Sequence, residues 1–377
     1  MLIGILSALL AGAMLGLYAL PGKYVKDFQE ENKWSLFFLL TMFVVPLILT
    51  FSMMKGALTI YGGLDGNILM TMVVSSFLWG VGVMMWGKAV DHIGLSLGFS
   101  LFIGTVILVG STLPLGISLY YGEPLPAIPV LALILIGLAI VLFGVLFNGK
   151  AGLAREKDEA AAAEDSDAPK KKSYATGIAI AVIGGLLATG FNVAFTVGGG
   201  PLKELVVANG NPEWMTAMAV MLPVFLSGGV VMTLYFAWQL TQKKAWGSFS
   251  TSALIVNVIL IAIMAFFHYA ASAMYAFAAN ALGANGPIVV YAIFNTTCLV
   301  IAVVSGILTG EWAKASQGAK GLLYKGLACM VVGVLVLTGS QYLASQTVAA
   351  AEPVKPIDTE VVPAEASSMI LKAIKNV

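Results

Sequence analysis

One histidine, His268, stands in the middle of a long apolar run, "ILIAIMAFFHYAASAMYAF". An imidazole in such a place is costly to charge, yet histidine is the side chain that ordinarily titrates closest to neutrality. It can act there as a proton carrier or a ligand to a polar solute, or it can be a neutral group satisfied by a neighbouring helix. No acid lies deep in an apolar run. The nearest are Glu204, in "GGGPLKELVVANG", and Asp91, after the third run. Glu204 reads as a proton-coupling group or as an interfacial acid paired with Lys203, and its segment as a short interfacial or re-entrant helix. Asp91 has Lys88 one helical turn away. Three amides, Asn192, Asn257 and Asn295, also fall inside apolar runs. A buried amide needs partners, supplied either by other helices or by the hydroxyls of a bound solute. Tyr18, Trp79, Trp86, Tyr275 and Tyr291 lie in or at the ends of runs. They suit interfacial anchoring or stacking against a sugar ring.

Other chemistries have no residues to carry them. Cys298 and Cys329 are isolated in sequence and read as small buried hydrophobes. There is no HExxH, no phosphate-binding loop, no paired carboxylates within a run and no serine triad in recognisable context. These absences lead us to expect no enzyme activity, no cofactor and no metal. A net charge of +1 with no basic arm gives nucleic acid no surface to bind.

These groups must be positioned by elements whose solvent is lipid. Hydrophobic residues make up 59% of the 377 and charged residues 10%, with a mean hydropathy of +0.94. A soluble domain carries roughly 25% charged residues. Ten apolar runs, at about 2–21, 34–54, 68–90, 93–119, 126–148, 174–197, 214–240, 251–279, 286–309 and 322–344, are each long enough to cross ~30 Å of hydrocarbon. None alternates with period two, so helices are expected rather than a barrel. The first run lacks a basic leader and a cleavage signal and reads as a span. The third and fourth runs are close enough to form a tight hairpin. Gly198–Gly200 before Pro201 is expected to break a helix near the membrane boundary.

The fold class is therefore all-α integral membrane, with ten transmembrane helices arranged as two inverted five-helix repeats. Residues 1–148 form the N-terminal half, 149–173 a polar flexible linker and 174–347 the C-terminal half. Residues 348–377 read as a disordered tail. Gly4 and Gly12 are spaced like Gly177 and Gly185, Trp34 and Trp214 each open the second run of a half, and the stretches Gly94–Glu123 and Gly283–Glu311 both end in Gly-Glu. Five spans per copy reverse the orientation of the second, a plan recurrent in secondary transporters. Fifteen of the twenty Lys and Arg residues fall in the loops after odd-numbered runs or in the linker. The positive-inside rule then puts those loops in the cytoplasm and both termini outside.

Several motifs resemble the L-rhamnose–proton symporter family of the drug/metabolite transporter superfamily. "WGVGVMMWGKAVDHIGLSLGFSLFIGTVILVG", Trp79 to Gly110, is similar to the family's third and fourth helices without gaps. "YALPGKYVK", "GPLKELVVANGNP" with its acid at Glu204, "NVILI" around Asn257, Tyr275 and Glu311-Trp312 also resemble its pattern. The resemblance covers roughly residues 2–343. It implies an inner-membrane carrier that imports L-rhamnose or a related deoxysugar with a proton by alternating access. Its site would lie between helices one, three, four, six, eight and nine. On that reading Asn192, Asn257, Tyr275 and Asn295 would meet sugar hydroxyls. Trp79 and Trp86, with Tyr18 and Tyr291, would be aromatic walls, and His268, Glu204 or Asp91 would handle the proton. Val83 and Met85 stand where the family pattern carries asparagines, so the solute would be held by other residues or would differ. The partners expected are the sugar, the proton and the lipid bilayer, with no nucleic acid. Sodium in place of the proton, a monomer or a homodimer, and a drug/metabolite-type exporter or exchanger of another metabolite all stay open.

Overall fold

The computed structural model describes residues 1–122, 124–162 and 173–351. The expectations for 163–172 and for most of the tail fall outside them. Every regular element among the described residues is helical. Ten helices are long and apolar enough to span a membrane: α1 (Leu2–Tyr24), α2 (Glu30–Met53), α3 (Gly66–Ile93), α4 (Leu95–Tyr120), α5 (Ile128–Asp158), α6 (Ala175–Ala208), α7 (Glu213–Gln242), α8 (Leu254–Ala281), α9 (Gly283–Leu308) and α10 (Gln317–Thr347). A short helix, Ala57–Gly63, lies between α2 and α3. The ten match the ten apolar runs because a backbone surrounded by lipid must satisfy its polar groups within the segment.

Local signals set the ends. The Asp65 carboxylate accepts from the backbone N–H of Asn67 at 2.8 Å and of Ile68 at 3.3 Å, capping α3. Gly94 has φ +82°, a conformation open to glycine at little cost; it turns α3 into α4 in one residue and forms the expected hairpin.

Two boundaries differ from expectation. The helix containing α5 continues from Ile128 to Ala162, through the first part of the stretch read as linker. "AREKDEAAA" is made, apart from Asp158, of strong helix formers, and the extension also holds its neighbours. Glu156 accepts the N–H of Ser96 at the start of α4 (3.1 Å), and Asp158 accepts that of Ser316 before α10 (2.9 Å). The helix break expected at Gly198–Pro201 is instead at Thr189, between helical segments Tyr174–Ala188 and Gly190–Ala208. Gly198 makes room for Met72 of α3, and Gly190 lets α6 press against the Ser75 carbonyl of the same helix. The glycines serve close packing, and Pro201 stays inside the helix.

Helix partnerships follow a regular scheme. The α1 helix packs on α8 and α9, and α6 packs on α3 and α4. Likewise α3 meets α7 and α2 meets α8, while α2–α7, α4–α9 and α5–α10 pair across the halves. Exchanging helices one to five with six to ten maps this set onto itself. The glycines repeat the scheme. A Cβ on Gly12 would stand 2.7 Å from the Phe294 carbonyl oxygen of α9; one on Gly185 would stand 2.8 Å from the Phe102 carbonyl oxygen of α4.

The seam between α5 and α10 is a glycine zipper. Gly137 faces Gly333 and Gly144 faces Gly326, so the helices run antiparallel. A Cβ on Gly144 would lie 2.9 Å from the Gly326 carbonyl oxygen. Backbone cannot swing aside as a long side chain can. Gly144→Ala is therefore expected to destabilise the protein by about 1–3 kcal/mol, read as a lowered unfolding temperature in detergent. Gly116→Ala on α4, with nothing within 4 Å of the new methyl, should leave that temperature unchanged or slightly raised.

Candidate functional site

His268 sits near the middle of α8, at the centre of an aromatic cluster. Tyr18 of α1, Phe37 of α2 and Phe225 of α7 surround its ring at centroid distances of 5.0, 5.4 and 5.7 Å. Three helices thus enclose the imidazole, yet it remains half-buried, as do Tyr18, Trp79 and Trp86. Its Nδ1 lies 3.1 Å from the Thr41 hydroxyl, which is itself 3.1 Å from the Ala265 carbonyl. Assigned from this network, the single Thr41 proton goes to the carbonyl and Nδ1–H donates to Thr41. Nε2 is then bare and can accept a proton. Among the described spans, His268 is the one Asp, Glu, His, Lys or Arg in the middle third of a helix. Trp79 of α3 continues the aromatic lining, with Phe191 of α6 at 5.2 Å and Phe225 at 5.8 Å.

Toward the end where α8 finishes, the side chains between α4, α6, α8 and α9 are buried. Asn192 of α6, Tyr275 of α8 and Tyr291 of α9 are 1%, 0% and 3% exposed. The Asn192 amide nitrogen donates to the Gly110 carbonyl of α4 at 2.7 Å and to the Pro287 carbonyl of α9 at 2.9 Å. Its amide oxygen accepts the Tyr275 hydroxyl proton. One side chain therefore ties α4, α6, α8 and α9 together with both of its N–H groups in use. Phe191, Phe195, Tyr291 and Phe294 pack their rings around Tyr275 at 5.1–5.9 Å. Gly110 is needed because the Tyr291 ring occupies the space a methyl would take.

The remaining sequence candidates divide. Asn295, in mid-α9, donates to the Tyr291 carbonyl one turn back at 2.9 Å, and its oxygen has no protein partner among the described residues. The Trp86 indole N–H is likewise buried without one. Asn257 is elsewhere. Its amide clamps the backbone of Lys26, accepting the N–H at 3.1 Å and donating to the carbonyl at 2.7 Å. It lies about 27 Å along α8 from Tyr275, at 1.5 Å per residue, so the two cannot touch one small solute. Asn211 clamps Lys55 in the same manner, at 2.8 and 2.9 Å. Glu204 and Asp91 are exposed. Lys203 pairs with Glu213 at 2.7 Å rather than with Glu204, and Lys88 sits 5.8 Å from the Tyr235 ring. Among the described residues no three His, Cys, Asp or Glu side chains come together to hold a metal.

Thr41, Phe37, Phe225 and Gly110 belong to these clusters and were not singled out by sequence. Only a period-matched face on α2 and α7 could have flagged the first three, and spans whose outward side is apolar as well do not present one. Asn257→Ala is expected to cost about 1–3 kcal/mol through the unpaired Lys26 backbone while leaving the apparent KM for solute within about twofold. Unfolding temperature, tryptic cleavage after Lys23 and Lys26, and uptake kinetics check this.

Ten apolar helices around an aromatic cluster that holds one mid-span histidine define a multi-pass membrane protein. The chain belongs to the L-rhamnose-proton symport protein family, whose model matches residues 1–342. It is 23% identical over 345 residues to the L-rhamnose-proton symporter of Yersinia pestis (strain Pestoides F), covering 89% of this chain and 95% of that one. It is also 23% identical over 340 residues to the L-rhamnose-proton symporter of Cronobacter sakazakii (strain ATCC BAA-894), covering 89% and 96%.

Proposed function

We propose that the chain is a proton-coupled importer of L-rhamnose or a related deoxysugar, working by alternating access in the inner membrane with both termini outside the cytoplasm. The observation that carries this reading is the cluster around His268: one titratable side chain at mid-span, with a free ring nitrogen, among aromatic rings of three other helices. A deoxysugar offers one apolar edge and several hydroxyls. Trp79, Tyr18 and Trp86 match the apolar edge. The unpaired Trp86 N–H and the Asn295 oxygen match the hydroxyls. His268 is favoured over Glu204 and Asp91 for coupling, because both acids are exposed and outside the aromatic cluster.

The exchange-symmetric partnerships support two inverted halves that rock about this pocket. In the present state, the Asn192–Tyr275 packing seals the end where α8 finishes, which the positive-inside rule makes the outer face. On this reading the half-buried Tyr18, Trp86 and His268 face the side open to the cytoplasm. Purified protein in liposomes should accumulate labelled L-rhamnose under an inward proton gradient and not under a sodium gradient. Accumulation driven by sodium alone would overturn the coupling. Transport restricted to apolar solutes would overturn the sugar.

A further inference from the structure

We propose that a lateral groove beside α1 binds a phospholipid carrying a primary ammonium headgroup. The α-helical part of α1 ends at Leu17, and the chain turns away through the 3-10 segment Leu20–Tyr24. Its counterpart α6 continues to Ala208. The early end of α1 leaves a groove of about 720 Å³ between α1, α8 and α9, with Leu17, Leu260, Ile263, Ile301, Val304 and Leu308 along its walls. Leu308 is 81% exposed and Ile263 41%, so the groove opens sideways onto the hydrocarbon, where an acyl chain is the solvent available to fill it.

The groove is polar at one end only. Lys23, Tyr24, Ser305 and Thr309 line that end. Glu311 stands beside it, 3.4 Å from the Lys23 ammonium and 3.4 Å from the Thr309 hydroxyl. This pair is looser than the 2.8 Å contact between Lys33 and Glu30, and both of its side chains are 51% exposed. Lys23 thus keeps donors, and Glu311 acceptors, for a third party. A zwitterionic headgroup complements the two charges together, its phosphate on Lys23 and its ammonium on Glu311. A purely anionic headgroup would place its charge against Glu311. A trimethylammonium group has no N–H to donate.

The test needs no transport activity, so its outcome is separate from that of the import reading. The purified, delipidated chain in detergent is offered phosphatidylethanolamine, phosphatidylglycerol or phosphatidylcholine with identical acyl chains, and bound lipid is read by native mass spectrometry. Phosphatidylethanolamine should bind about tenfold more tightly than either other lipid. Lys23→Gln and Glu311→Gln, both at exposed positions, should each remove the preference while leaving the lipid-free unfolding temperature unchanged. Equal binding of all three lipids, a preference for phosphatidylglycerol, or a preference that survives both substitutions would overturn the proposal.

Discussion

A His268→Gln chain should lose proton-driven sugar accumulation by about tenfold or more while keeping sugar counterflow within roughly threefold of the parent. Counterflow exchanges labelled for unlabelled sugar through a loaded carrier and needs no net proton movement. Accumulation needs a group that takes a proton on one side and releases it on the other. Glutamine can keep a hydrogen bond to Thr41 and fill most of the imidazole volume, so the aromatic cage stays packed. What it lacks is a titratable nitrogen. Uptake and counterflow measured in the same proteoliposomes between pH 5.5 and 8 decide the matter. Should His268→Gln retain the pH-driven component, the coupling group lies elsewhere, with Glu204 the next to replace.

Much of this protein could be read from its sequence, for reasons specific to lipid. A span must close its own hydrogen bonds and present apolar side chains, so length and hydropathy located all ten helices. The matched spacing of Gly4 and Gly12 with Gly177 and Gly185 was visible because close helix approach tolerates nothing larger. Roles were harder to read. The sequence says that Asn192, Asn257 and Asn295 each need partners, but not whose. The structure gives Asn257 to a loop, Asn295 half to its own helix and Asn192 to three carbonyl or hydroxyl groups on other helices. Likewise Gly198–Pro201 reads as a breaker from propensity alone, whereas the backbone contacts of Gly190 and Gly82 with α3 and α6 place the interruption at Thr189. Helix breaks and amide partners are set by distant contacts, and a single sequence does not contain them.

The second large effect is expected at Asn192, where those contacts matter most. Asn192→Ala removes two donated bonds and one accepted bond, each worth about 0.5–1.5 kcal/mol net. If the outward-open state breaks the same bonds, their loss weakens the present state alone. The ratio of the two conformations then shifts by roughly tenfold or more. Tyr275→Phe removes only the hydroxyl and keeps the ring among Phe191, Phe195 and Phe294, so its shift should be smaller and in the same direction. A reporter follows from burial: Ser111 on α4, beside Gly110, is 0% exposed. Ser111→Cys on a Cys298→Ser, Cys329→Ser background should resist an impermeant maleimide from outside in the parent. It should react about tenfold faster with Asn192→Ala and at an intermediate rate with Tyr275→Phe. A ligand role makes the opposite forecast. If Asn192 held the sugar, Asn192→Ala would raise KM and leave labelling of the reporter unchanged. Accessibility and affinity, measured on one variant, therefore separate a seal from a binding group.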